Sequence, residues 1–225
     1  MPTLVERVRQ VVSAEDDDFF NADTILYYLN KSQKKIVNFM TQQELRPTIR
    51  TQEGVIKGAD RSLRALDQLR EITSTAVTGA TPTNDYYTGY VAFPANLGQV
   101  LYLRYKARTV LRELTSTKLY LLEWGNLKPT IFESYYYITQ DSGKKFQVYL
   151  PEDPVANTVQ VFYVKEPSEL TLMSETLTDL PEQVENAVIY GAAVMMLGQE
   201  SVKDPEGNAQ VILQIYNDEL QNSLY

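Results

Sequence analysis

Residues 159–164 read VQVFYV, and residues 180–195 read LPEQVENAVIYGAAVM; the change of pattern between them decides the fold. The first run is β-branched and aromatic with no helical repeat, and it reads as a strand. In the second, Pro181 suits the first helical position and Glu182 the first turn, where an acid meets the positive end of the helix dipole. Val184, Val188, Ala192 and Met195 then fall on one face. Gly191, Ala192 and Ala193 are small enough to let another helix cross closely. Farther on, Gly198 suits a cap, and Asp204-Pro205-Glu206 restarts the chain with an N-cap, a first-position proline and an acid in the first turn. The last helix carries Ala209, Leu213, Tyr216, Leu220 and Leu224 on one side.

Toward the N-terminus the chain stays strand-like for a long way. Residues 89–94, 100–105, 110–114, 134–139 and 146–150 join 159–164 as strands. Asp141-Ser142-Gly143-Lys144 supplies a hairpin turn. Lys118 to Trp124 interrupts with helical spacing through Leu119, Leu122 and the Tyr120/Trp124 pair, and Gly125 stops it. The first third is helical again. Leu4, Val5, Val8, Val11 and Val12 mark one helix, with Thr3 and Glu6 spaced as a capping box. Asn21 suits the N-cap of a longer helix whose buried face holds Ile25, Leu26, Leu29, Ile36, Val37 and Met40 and which ends before Pro47. A short third helix is expected from Asp60, with Leu63, Leu66 and Leu69 inward. Helices, then strands, then helices give an α+β chain: a helical bundle of residues 1–71 and 178–225, with an inserted antiparallel β lobe over 72–177.

Composition narrows function. The 225 residues contain neither cysteine nor histidine, which removes disulfides, the usual zinc sites and any nucleophile–His–acid triad. No catalytic residue, metal ligand or cofactor site stands out; there is no Gly-rich phosphate loop and no nucleophile elbow. Net charge is −8, which opposes tight duplex binding through phosphate neutralisation. No apolar run approaches the ~20 residues that span a bilayer. The N-terminus lacks the basic start and apolar run of a signal peptide, so the chain is expected in the cytoplasm.

Four features call for a weighing of readings. Glu15, Asp16, Asp17 and Asp18 lack the alternate-position spacing and turn glycine of a calcium loop, and read as a solvated loop or, in an assembly, an acidic rim facing DNA. The 16 tyrosines, among them Tyr135-Tyr136-Tyr137, fit core and interface before ligand stacking. Asn30-Lys31-Ser32 matches a glycosylation acceptor, but it falls mid-helix in a chain with no export signal. The final helix ends on Leu224-Tyr225, which fits either packing in its own bundle or docking on a partner.

The order of these features resembles the head-to-tail adaptor proteins (connectors, or tail accessory factors) of short-tailed and crAss-like bacteriophages. The stretches that carry it are Asp18 to Asn30, Tyr90 to Leu97, and Phe146 through Pro167 and Leu180-Pro181 to the Gly191-Ala192-Ala193 helix and the Tyr216 helix. Asn96 stands where the family usually has an acid, and 55–88 departs most. The resemblance implies a structural virion protein at the capsid–tail junction, assembled in the host cytoplasm, forming a ring of about twelve copies beneath the portal. Its partners would be the portal protein, neighbouring copies, and the next tail ring or tail tube protein, with packaged DNA passing through unbound. By the same resemblance, Leu213, Tyr216, Leu220, Leu224 and Tyr225 are the portal-contact candidates, and Glu15 to Asp18 the channel or rim candidates. The last helix is expected to order only on docking. The competing reading is a carbohydrate-binding or cell-wall-acting module with aromatic platforms. An adaptor should expose apolar patches on two flanks of its bundle; a sugar module should show one aromatic groove beside acids.

Overall fold

The computed structural model describes residues 2–12, 21–45, 66–83, 85–106, 109–125, 127–140, 144–154, 158–198 and 208–224. Chain contacts divide it into two compact units, one of residues 1–69 with 166–225 and one of residues 70–165. Helices stand at both ends and the strands are inserted between them, as the sequence pattern predicts.

In the helical unit, α1 spans Leu4–Val12 and α2 spans Ala22–Leu45. Both start as the sequence dictates. Thr3 Oγ1 accepts the Glu6 N–H while Glu6 Oε2 accepts the Thr3 N–H at 2.7 Å, a reciprocal capping box. Asn21 Oδ1 accepts the Thr24 N–H at 2.8 Å. A 3-10 turn at Glu182–Val184 leads into α4, Glu185–Leu197. This helix is apolar nearly all round, so it must be enclosed. It buries Ala187, Val188, Ile189, Ala192, Ala193 and Met196, and α1, α2 and the last helix, α5 (Asn208–Leu224), all pack on it. Gly191 sits where α2 and α5 converge. A Cβ there would overlap Ser32 Oγ and come within 3.0 Å of the Tyr216 ring.

Residues 166–180 run along α2 as an irregular strap. Many of its backbone hydrogen bonds go to side chains, since no ladder supplies partners; at Ser174 the carbonyl accepts the Leu4 N–H at 2.9 Å and the N–H donates to the Thr171 carbonyl. Asn30 serves Leu170 as a strand neighbour would, accepting its N–H at 2.8 Å and donating to its C=O. Gln33 donates to the Ser168 carbonyl at 2.8 Å. Leu170, Leu177 and Leu180 are buried beneath the strap.

The sheet unit holds β1 (Arg70–Ala76), β2 (Thr78–Thr83), β3 (Tyr86–Ala92), β4 (Leu97–Tyr105), β5 (Thr109–Glu113), α3 (Ser116–Glu123), β6 (Tyr135–Thr139), β7 (Lys145–Leu150) and β8 (Thr158–Lys165). The strand order is β1-β8-β4-β5-β6-β7-β3-β2. β1 and β2 lie at opposite ends of that order yet only Val77 separates them in the chain. Eight strands laid flat would span roughly 34 Å at the usual spacing. A one-residue link cannot cross that distance, so the sheet curls until its edges nearly meet. Gly89 makes room at the seam: a Cβ on it would overlap Val77. The interior is filled by Val91, Leu103, Phe146, Val148, Val161 and Tyr163, among others.

Two expectations change here. The lobe is antiparallel except for β5 and β6, which run parallel with Arg112 opposite Tyr135. Parallel neighbours need a long crossover, and α3 lies within the one that joins them. Two strands, β1 and β2, add to the six read from sequence. β1 turns Glu71, Thr73 and Thr75 inward and leaves Ile72 exposed, the reverse of the usual alternation. β2 carries Gly79 at φ +62° and Pro82, as edge strands do. Asp141 to Gly143 and residues 46–65 lie outside the described residues, and with them most of the short helix expected from Asp60. Leu66 and Leu69 are buried in a turn, with the Leu69 N–H on the Leu66 carbonyl.

Candidate interaction surfaces

Among the described residues no cluster of three or more acidic side chains is placed to hold a metal ion. The larger polar networks are closed by structural partners, while the buried Ser32 hydroxyl makes no hydrogen bond among the described residues. In the sheet unit, buried Tyr163 donates its hydroxyl toward Glu71 Oε2 (2.8 Å) and Asn96 Oδ1 (2.9 Å), and the Asn96 amide donates to the same Glu71 oxygen. The Asn96 amide, then the Tyr163 hydroxyl, hold the Glu71 carboxyl below the usual glutamate range. An aspartate at position 96 would set two carboxylates against each other; asparagine fits because Glu71 already supplies the charge. In the helical unit, Arg7 pairs with Glu185, donates to Asn186, and Glu185 also accepts the Leu177 N–H. This ties α1, α4 and the strap together.

What the molecule leaves unsatisfied is apolar surface. In the sheet unit it gathers on the β5–β6 crossover. Thr115 caps α3 by accepting the Lys118 N–H, and Gly125 at φ +75° ends it. Leu122 packs inward with Leu114, Tyr86, Tyr135 and Tyr149. That orientation leaves Tyr120, Leu121 and Trp124 outside. Trp124 is 68% exposed, and its ring stacks on Tyr120 at 5.3 Å. The turn that follows is firmly held. Thr130 and Glu133 exchange both backbone hydrogen bonds, Thr109 Oγ1 donates to the Ile131 carbonyl at 2.8 Å, and Arg112 pairs with Glu133 at 2.7 Å. Yet this turn presents Ile131 and Phe132, 63% and 86% exposed, to water. Apolar side chains on a turn fixed this tightly mark a contact surface rather than a flexible loop.

The helical unit exposes two narrower stripes. On α2 they are Tyr27, Lys31 and Lys35, four apart; on α5 they include Val211 and Leu213. The portal-contact candidates do not share one free face. Leu213 points outward, whereas Tyr216 lies against Gly191, and its burial pushes the phenol up. Leu220 is half-buried, Leu224 is the last residue of α5, and Tyr225 lies outside the described residues, as do Glu15, Asp16, Asp17 and Asp18. The last helix packs on α4, with Ile212 buried and Tyr216 against Gly191.

A family model described as SU10 adaptor protein matches residues 2–224. The chain belongs to that family. Compared with the curated proteins, it matches none. An SU10 adaptor is a structural phage protein of the virion, and the site to look for in one is a surface rather than a pocket. For this adaptor the sequence reading singled out the Tyr120/Trp124 pair only as a helix marker and passed over Ile131 and Phe132. The available signal was two adjacent large apolar residues between Thr130 and Glu133, in a segment too short for a strand. Among the described residues the SU10 adaptor has no helix long and apolar enough to cross a membrane.

Proposed function

We propose that this chain forms a homo-oligomeric ring of about twelve copies beneath the phage portal, joining capsid to tail and extending the DNA channel. The observation that carries the reading is the family match along nearly the whole chain. The exposed apolar surface supports it: it is presented on a tightly hydrogen-bonded turn in the sheet unit and at Tyr27, Met173, Val211 and Leu213 in the helical unit, as a protein with several partners needs. In this reading the Trp124–Phe132 surface receives the next tail ring or tube protein. The end of α5, with Leu220, Leu224 and Tyr225, meets the portal. Leu213 and Tyr216, in the first half and middle of α5, are the remaining candidates for that contact, with Tyr216 packed at Gly191 and Leu213 exposed. Glu15 to Asp18 line the channel or its rim. At −8 per copy the ring repels phosphate and lets DNA slide without adhesion. No step of this role asks the chain for catalysis or for a cofactor.

The carbohydrate module remains the competing reading because Tyr120 and Trp124 form an exposed stacked pair. The nearby Glu133 is engaged by Arg112 and the Glu113 carboxylate accepts the Tyr136 hydroxyl, so neither stands free beside that pair as a sugar site requires. Deleting the gene from the phage tests the choice. The adaptor reading expects filled or partly filled heads without tails; complete tailed particles that fail only to adsorb to the host contradict it.

A further inference from the structure

α2 and α5 converge on Gly191 from two sides of the same small residue, and each keeps one stripe in solvent. The stripes have opposite character. That of α2 carries Lys31 and Lys35 beside Tyr27, which is 59% exposed, with the Lys31 ammonium 5.7 Å from the Tyr27 ring. The sequence of α5, NAQVILQIYNDELQNSL, has no cation at all; its two charges are Asp218 and Glu219. Its exposed side chains are otherwise amides and the apolar Val211 and Leu213. A solvent-facing helix usually mixes lysines with acids, whereas interfaces are depleted of lysine and glutamate and keep apolar contacts.

We propose that the α5 stripe of one copy docks on the α2 stripe of a second copy, head to tail. The contact places Asp218 against Lys31 and Lys35, and Val211, which lies on the same line of α5, against Tyr27. α2 also exposes Asp23 one turn before Tyr27, but α5 paired with itself brings no cation to Asp218, so the pairing of α5 with α2 is the favoured one. Two different faces meeting in this way generate a ring when the rotation closes. The inference rests on the ring reading and deepens it by naming the contact between neighbours.

The chain has no cysteine, so introduced thiols report on this contact alone. Asn38→Cys on α2 and Asn222→Cys on α5, one turn beyond Lys35 and Asp218 respectively, replace exposed amides and leave both charge sets intact. In the portal-bound assembly treated with a short bis-maleimide, the chain with both cysteines should give a ladder of covalent multimers. Each single-cysteine chain should stay monomeric, and an equal mixture of the two should stop at dimers. Dimers from one single-cysteine chain mean that like faces meet, and they overturn the proposal. Assembled rings with no ladder overturn this contact and leave the ring reading standing; a chain that never assembles overturns both. Charge reversal gives a second readout. Lys31→Glu with Lys35→Glu should abolish the ladder, and adding Asp218→Lys with Glu219→Lys to the same chain should restore it, which a merely misfolded variant would not do.

Discussion

Gly191 has no side chain because two helices occupy the space one would need. Gly191→Ala should destabilise the helical unit by about 1–3 kcal/mol, the usual range for overpacking. Ser32→Ala in the same chain should recover part of that loss by removing the hydroxyl that a new Cβ would overlap, and denaturant unfolding of the single and double variants checks both. Asn30 shows the limit of reading residues by motif. Its acceptor-like triplet is accidental, and the structure uses the amide as a surrogate peptide group for Leu170. Asn30→Ala strands a buried N–H and should cost about 1–3 kcal/mol in the same assay. Like the exposed Asp85 beside Lys128, Glu71 is an acid-side titrator of the sheet unit. Its folded value is depressed, so its contribution is present above the ordinary glutamate value and is lost as pH falls through the folded one. Glu71→Gln should therefore flatten the acid limb of the stability profile; an unchanged limb would mean the network carries no linkage.

At the level of elements, the sequence made most starts and stops legible because caps act locally. Thr3 with Glu6, Asn21 and Gly125 all behave as their neighbours in the chain dictate. β1 and β2 escaped because their defining partners are remote. The inward face of β1 is polar, which makes sense only once Tyr163 of β8 is beside it. The parallel β5–β6 pair was implicit in the α3 helix placed between the two strands, since such a crossover returns the chain in the same direction. The exposed turn at Ile131 and Phe132 illustrates a different gap: apolar residues in a sequence are assigned to the core by default, and only geometry shows them outside. Phe132→Asp should change folding stability by no more than about 0.5 kcal/mol, as surface substitutions do. It should nevertheless prevent attachment of the next tail component to rings already seated on the portal. Tail attachment at wild-type yield would remove this surface from the account.

Across the whole molecule, Arg70 of β1 lies opposite Val164 of β8, so the chain enters and leaves the sheet unit side by side. A segment with adjoining ends and its own core is expected to fold alone. Residues 70–165 expressed by themselves should give a β-rich circular dichroism spectrum and a cooperative melt. The buried phenols set the alkaline limit. Burial, helped by Glu113 at Tyr136, raises the values of Tyr136, Tyr163 and Tyr216 above the ordinary phenol range. A raised folded value means stability is full below the ordinary tyrosine value near about 10 and falls as pH climbs through the folded one. Tyrosinate absorbance should thus rise in two stages, the second coinciding with loss of structure. Fold class and bundle-plus-lobe arrangement were readable because period and composition switch twice along the chain. The exposed faces of α2 and α5 were not, since which side chains stay in solvent is settled only after α4 has claimed the other sides of both helices.

The central claim is that this chain is a portal-templated ring, and the most direct test is its mass in solution, alone and mixed with the purified portal ring of the same phage. The account predicts a monomer alone and a portal complex carrying one adaptor per portal subunit, about twelve in all. A chain that stays monomeric in the presence of the portal, with no complex at any concentration tried, would contradict it.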